Sequence, residues 1–187
     1  MTNYMNSFFL TGNETAKDFL CHTFGPIKFD GKTEIGKDDL KRDFYDKFNI
    51  NLSPRIQVIE DGAFKGKLVN FINLPSSINT IGKKAFKNCK YLSFVNLTNQ
   101  MTVINKGTFE NCSNLAYVQL PSTLEIICED AFKDCKSLTY IHIPKAVKKI
   151  MKNAFKGCNN LSEVRMYKNT EYDKKKTFSN VTKITYF

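Results

Sequence analysis

The chain has 187 residues, 42% hydrophobic and 25% charged, ordinary proportions for a globular protein with one continuous core. Its formal charge of +10 is uneven: residues 1–54 hold seven Lys and Arg against eight Asp and Glu, whereas residues 55–187 hold 21 against ten. No stretch approaches 18 apolar residues, which excludes a transmembrane helix, and the apolar run Phe8, Phe9, Leu10 is too short and too poor in flanking basic residues for a secretory leader.

The C-terminus carries no prenylation Cys. As written, the sequence therefore reads as cytoplasmic, with cell surface or secreted as the alternative if a leader was removed or export is non-classical.

Residues 1–54 read as an N-terminal cap, mostly helical. Asn13 can N-cap a helix over NETAKDFLCHTF, and KDDLKRDFYDKF offers a second. A degenerate repeat is also legible there, because Ile35-Gly36 resembles Ile81-Gly82 and INLSP resembles INLP further on.

From residue 55 to 187 the sequence repeats, in about five full units and a partial last one. Phe64, Phe86, Phe109, Phe132, Phe155 and Phe178 recur every 22 or 23 residues. Cys89, Cys112, Cys135 and Cys158 keep the same step, as do Leu92, Leu115, Leu138 and Leu161, and Val95, Val118, Ile141 and Val164. Such a period means stacked units, each too small to bury its own apolar face.

Within a unit, segments such as LAYVQL and LTYIHI have the alternation of a short strand with one face buried. Pro75, Pro121 and Pro144 end three of them. Two apolar anchors three apart follow: Ile56/Ile59, Ile78/Ile81, Met101/Ile104, Leu124/Ile127 and Val147/Ile150. The Ala-Phe segment reads as a single helical or 3₁₀ turn on the convex face. Two residues after each Phe stands Gly66, Asn88, Asn111, Asp134, Gly157 or Asn180, the types that best tolerate left-handed backbone. At the end, the 23-residue register puts Val181, Ile184 and Phe187 in the Cys, Leu and Val columns, so that the chain stops inside its last strand. An open edge there would offer a homo-oligomer contact.

The motif I-x-x-A-F-x-[ND]-C-x-x-L-x-x-[VI]-x-[LI]-P resembles the BspA-like, Treponema-type class of leucine-rich repeats over about residues 55–187. The resemblance implies an α/β repeat solenoid with a parallel β-sheet on a concave face. It also implies binding, often adhesion to host proteins or matrix.

Two candidate surfaces follow. On the concave face the residues flanking the Val/Ile column point to solvent: Phe71/Asn73, Phe94/Asn96, Tyr117/Gln119, Tyr140/His142 and Glu163/Arg165, with Tyr186 in register at the end. The first members form an aromatic ladder interrupted by Glu163, and the second a polar ladder ending in Arg165. Aromatics beside amides and Arg suit a protein or peptide ligand; they equally suit cross-strand stacking that stabilises the sheet. The alternative surface is basic. Lys83, Lys84, Lys106, Lys148, Lys149 and Lys152 could align as a convex stripe for an acidic or polyanionic partner such as nucleic acid, with Lys174, Lys175 and Lys176 a further cluster; a solvated face is the simpler account.

Catalysis finds little support. His22 and His142 are the two histidines, and neither has an adjacent nucleophile in sequence. There is no Gly-rich phosphate loop, no HExxH, and no carboxylate beside Glu163 in the concave columns. A 23-residue Cys spacing makes a line rather than a metal site, so no metal or cofactor is implied and the column reads as buried reduced thiols. Cys21 and Cys128 stand outside it.

Overall fold

The computed structural model describes residues 32–40, 48–179 and 183–187. The strands run β1 (Glu34–Ile35), β2 (Phe48–Asn51), β3 (Val58–Ile59), β4 (Val69–Asn73), β5 (Thr80–Ile81), β6 (Phe94–Asn96) and β7 (Val103–Ile104). They continue as β8 (Tyr117–Gln119), β9 (Ile126–Ile127), β10 (Tyr140–His142), β11 (Lys149–Ile150), β12 (Glu163–Met166) and β13 (Lys183–Tyr186). Every strand pairing is parallel. The result is a parallel-strand solenoid of about six turns, in which longer strands alternate with two-residue strands.

The longer strands pair as β2-β4-β6-β8 and β10-β12-β13, the short ones as β1-β3-β5 and β7-β9-β11. The second set puts the second anchor of each pair (Ile59, Ile81, Ile104, Ile127, Ile150) on a short strand, which the spacing of the anchors did not indicate. At the seam between β5 and β7 a side chain supplies a bond, since Asn105 Nδ2 donates to the Ile81 carbonyl at 2.8 Å. Strand pairing reaches back into residues 1–54 through β1 and β2.

The Ala-Phe segments are not helical, which corrects the expected helical turns. Their N–H groups alternate in direction. Gly62, Phe64 and Gly66 donate to Lys83, Ala85 and Lys87 of the next rung, while Ala63, Lys65 and Lys67 donate three residues back. A helix needs consecutive N–H groups to bond within the chain; here every second one serves a neighbour. The Phe donors keep this third ladder continuous, to Thr108, Ala131, Ala154 and Thr177 in succession.

Inside it, the Phe rings from Phe64 to Phe178 stack at centroid separations of 5.0–5.5 Å. Each such pair adds about 0.5–1.5 kcal/mol beyond burial. The Leu, Val and Ile columns fill the rest of a core in which Leu92, Val95, Leu115 and Leu138 are fully buried.

The mostly helical cap is also not supported. The described helical turns are a 3₁₀ turn at Lys37–Leu40 and α1 at Lys174–Thr177, capped by Asp173. The candidate helix over 13–24 lies outside the described residues, and Phe48, at the end of the second candidate, begins β2.

The C-terminal register differs as well. Ile184 pairs with Val164, so it occupies the Val column rather than the Leu column. The last unit is three residues shorter between its Phe and its strand, and β13 is a complete four-residue strand. Tyr186 consequently pairs with Met166 and does not continue the outward aromatic ladder.

Candidate functional site

The long-strand sheet presents its outward residues in registered columns. Phe71 pairs with Phe94, Phe94 with Tyr117, and Tyr140 with Glu163. Asn96 pairs with Gln119 and His142 with Arg165. These registered pairs lie within two groups of strands, β4-β6-β8 and β10-β12, with no strand pairing between β8 and β10.

In the first half of the face the aromatic rings lie against one another. The Phe71 and Phe94 ring centres are 6.3 Å apart and those of Phe94 and Tyr117 5.5 Å apart, both pairs stacked with nearly parallel planes. Ring faces are thus turned to neighbours and ring edges to solvent. Tyr117 ends the stack and is 46% exposed, whereas Phe71, Phe94 and Tyr140 are half-buried. Asn73, Asn96 and Gln119 run exposed beside them. Between β8 and β10 the sheet is divided, so Tyr117 and Tyr140 stand on either side of a seam.

The second half is charged. The Arg165 guanidinium lies 5.6 Å from the centre of the Tyr140 ring and 3.0 Å from Glu163. Lys183 reaches the same Glu163 oxygen at 3.6 Å. The Arg165 hydrogen bond holds the Glu163 carboxyl below its ordinary range, and Glu163 in turn raises Arg165. One carboxylate shared by two cations leaves this end net positive. Exposed His142 meets the Phe187 ring edge-on at 5.7 Å, and Phe187 also touches Tyr167 at 5.4 Å. Lys183, Tyr167 and Phe187 were not picked out from the sequence. The alternation of Lys183, Thr185 and Phe187 around Ile184 was the available signal.

The lysine stripe is differently built. Lys106 and Lys152 converge on Glu129 at 2.7 and 3.0 Å, Lys148 meets Glu125 at 2.8 Å, and Lys149 meets Glu171 at 2.9 Å. The Lys106 hydrogen bond lowers the Glu129 carboxyl, and Glu129 raises Lys106. Lys83 gives its backbone N–H to Asp61, and Lys84 adopts left-handed backbone. Lys174, Lys175 and Lys176 form α1, where Lys176 approaches Asp173 at 3.3 Å. Alternation of sign from rung to rung neutralises much of what the sequence shows as a positive run.

Cys89, Cys112, Cys128, Cys135 and Cys158 are free thiols, and Cys21 lies outside the described residues. Among the described residues no cluster of three or more His, Cys, Asp or Glu is placed to hold a metal, and no helix is long and apolar enough to cross a membrane.

A coil of 22–23-residue parallel rungs with Leu, Val and Phe columns defines a leucine-rich-repeat solenoid. The repeat pattern of the BspA type leucine rich repeat region matches in six copies, over residues 41–143 and 79–187, and the chain belongs to this family. Repeats of this kind generally serve as protein-interaction or adhesion modules and are generally non-enzymatic.

Among solved structures, the chain is similar to a leucine rich repeat protein of Treponema pallidum, with 31% identity over 63% of this chain and 58% of that one, at a TM-score of 0.61. It also matches a leucine rich cell surface protein of Faecalibacterium prausnitzii, with 21% identity over 73% of this chain and 53% of that one, at 0.48. The chain thus spans a little over half the length of both. A search of curated proteins returns no match.

Proposed function

We propose that the chain is a non-enzymatic interaction module, of the adhesion or capture kind, that binds a protein or peptide ligand on its long-strand sheet. The central contacts are Phe94, Tyr117, Tyr140, His142 and Arg165. The observation that carries this reading is the aromatic column ending at the exposed ring of Tyr117, flanked by uncovered amides. Pre-stacked rings lose little freedom when a ligand arrives, which is the property that makes tyrosines strong anchors. The stacking that stabilises the sheet therefore also prepares it for binding.

The test is capture of partners from extract of the native cell by immobilised protein, quantified by mass spectrometry. The Tyr117→Ala/Tyr140→Ala variant should melt within a few degrees of the parent and lose captured partner at least ~tenfold, the effect of removing one or two anchors. Equal capture by the two proteins would refute the assignment. The polyanion reading is less favoured, because four of the six lysines each have a carboxylate at 2.7–3.0 Å. Membership of this family is compatible with a cell-surface or secreted setting.

A further inference from the structure

The seam between β8 and β10 is an opening in the middle of the long-strand sheet. At other rungs the residue before the strand donates its N–H to the preceding rung: Ser93 to Asn70, Ala116 to Ser93 and Ser162 to Thr139. Thr139 makes no such bond to Ala116. The residue after the strand is likewise held elsewhere, Leu97 by Gln119 and Ile143 by Arg165, whereas Leu120 makes no bond to His142. Outside the strands the same two rungs are joined, by Ser137 to Ser113 and by Phe132 to Ala154. The gap is therefore local, and it leaves a backbone N–H without a strand partner at each end.

Side chains at the opening are less covered than their counterparts. Val118 is 6% exposed where Val95 and Val164 are 0%, and Leu120 is half-buried where Leu97 and Ile143 are buried. The aromatic faces are divided in the same way. Tyr117 lies against Phe94 on one side, and Tyr140 meets Arg165 from the rung beyond. Among the described residues, no ring or cation lies on the sides that Tyr117 and Tyr140 turn toward each other. Two tyrosine faces thus border a small apolar patch at Val118 and Leu120.

Two kinds of group stack on tyrosine faces, aromatic rings and cations, and charge chooses between them here. The Tyr140 ring already holds the Arg165 guanidinium at 5.6 Å. Glu163, 3.0 Å from Arg165, is shared with Lys183, so this side keeps a net positive charge. A second cation between the tyrosines would be repelled by it. A neutral ring would not, and a carboxylate next to that ring would be attracted. We propose that the β8–β10 opening receives an aromatic side chain of a peptide ligand, packed between Tyr117 and Tyr140, with an adjacent carboxylate of the ligand on the Arg165 side. The inference rests on the long-strand sheet being the binding face, and it adds the residue type that this face selects.

In the free full chain, amide hydrogen exchange should be faster at Thr139 and Leu120 than at Ala116 and Leu97; equal protection would mean that the sheet is closed there and would overturn the proposal. The probes are the blocked peptides Gly-Phe-Asp-Gly, Gly-Leu-Asp-Gly and Gly-Phe-Lys-Gly, each titrated to ~10 mM, enough to fill a millimolar site. Backbone amide shifts at Thr139 and Leu120 should saturate with the Phe-Asp peptide, and the other two should bind at least ~fivefold more weakly. Arg165→Gln should bring the Phe-Asp and Phe-Lys peptides to equal affinity. No saturable shift at those amides, a Leu-Asp or Phe-Lys peptide that binds as well, or a preference for Asp that survives Arg165→Gln each overturns the proposal. Lost capture by Tyr117→Ala/Tyr140→Ala without a response to the Phe-Asp peptide would refute the inserted ring and leave the binding face standing; retained capture would refute the face itself.

Discussion

Each thiol of the repeating cysteine column has a partner that the sequence does not announce. Cys89, Cys112, Cys135 and Cys158 donate to the carbonyls of Phe64, Phe86, Phe109 and Phe132 at 3.0–3.2 Å. Those carbonyls already accept a turn N–H, for example from Lys67 and Cys89. The thiol takes the second lone pair, so the column does more than fill space. Burial was legible from the period alone. The bond was not, because its acceptor lies 25 or 26 residues back on the adjacent rung. Burial pushes Cys89 and Cys158 up to about 12, and Cys112 and Cys135 well above their ordinary 9.0. The unfolded chain ionises first as pH rises, so it sheds protons that the folded chain keeps. Stability is then complete below about pH 9 and falls as pH climbs toward 12. Urea midpoints at pH ~8 and ~10.5 should differ more for the parent than for Cys135→Ala. Equal differences would show that the column is not what titrates. At the lower pH Cys128, half-buried, should be the column's faster-labelling neighbour in peptide-resolved thiol alkylation.

At the scale of the element, the turn explains both what was readable and what was not. Gly66, Asn88, Asn111, Asp134 and Gly157 do have positive φ, as their residue types indicate, while Asn180 lies outside the described residues. A second left-handed column stands four residues earlier: Gly62, Lys84, Gly107, Asp130 and Asn153. Lys84 hid it, since lysine is no marker of that conformation. The two columns bracket the Ala-Phe segment and stop it from winding into a helix, which composition alone could not reveal. The shortened last unit was missed for a related reason: a fixed period was carried past the point where three residues drop out.

Lys84, at φ 56°, is the residue least suited to its place. A non-glycine residue there costs about 1–2 kcal/mol, and glycine's extra freedom in the unfolded chain gives back about 0.5–1 kcal/mol. Lys84→Gly should therefore stabilise the fold by about 0.5–1 kcal/mol in urea titration, while Lys84→Ala stays within about 0.5 kcal/mol of the parent. A gain of the same size from alanine would trace the effect to lost charge instead of backbone.

For the whole molecule, the continuous Phe ladder joins rungs whose two sheets are each divided once, at different heights. A solenoid is held by such neighbour interfaces, and most of its surface ion pairs likewise join adjacent rungs, Arg165–Glu163 and Lys176–Asp173 being exceptions within a rung. Glu129 is the clearest case, with Lys106 on one side and Lys152 on the other. Glu110 repeats the pattern with Lys87 at 2.7 Å and Lys133 at 3.9 Å. Net charge overstates the attraction for a polyanion when carboxylates such as Glu129 and Glu110 are set between two lysines, because a phosphate or sulfate must displace them first. The parent should therefore leave heparin at modest salt despite its +10. Glu129→Gln frees Lys106 and Lys152 together and should move elution to clearly higher salt, with little change in melting temperature because all three groups are solvent-screened. Retention of the parent at high salt, unchanged by Glu129→Gln, would mean that the positive field acts through other lysines and would return the polyanion reading to first place.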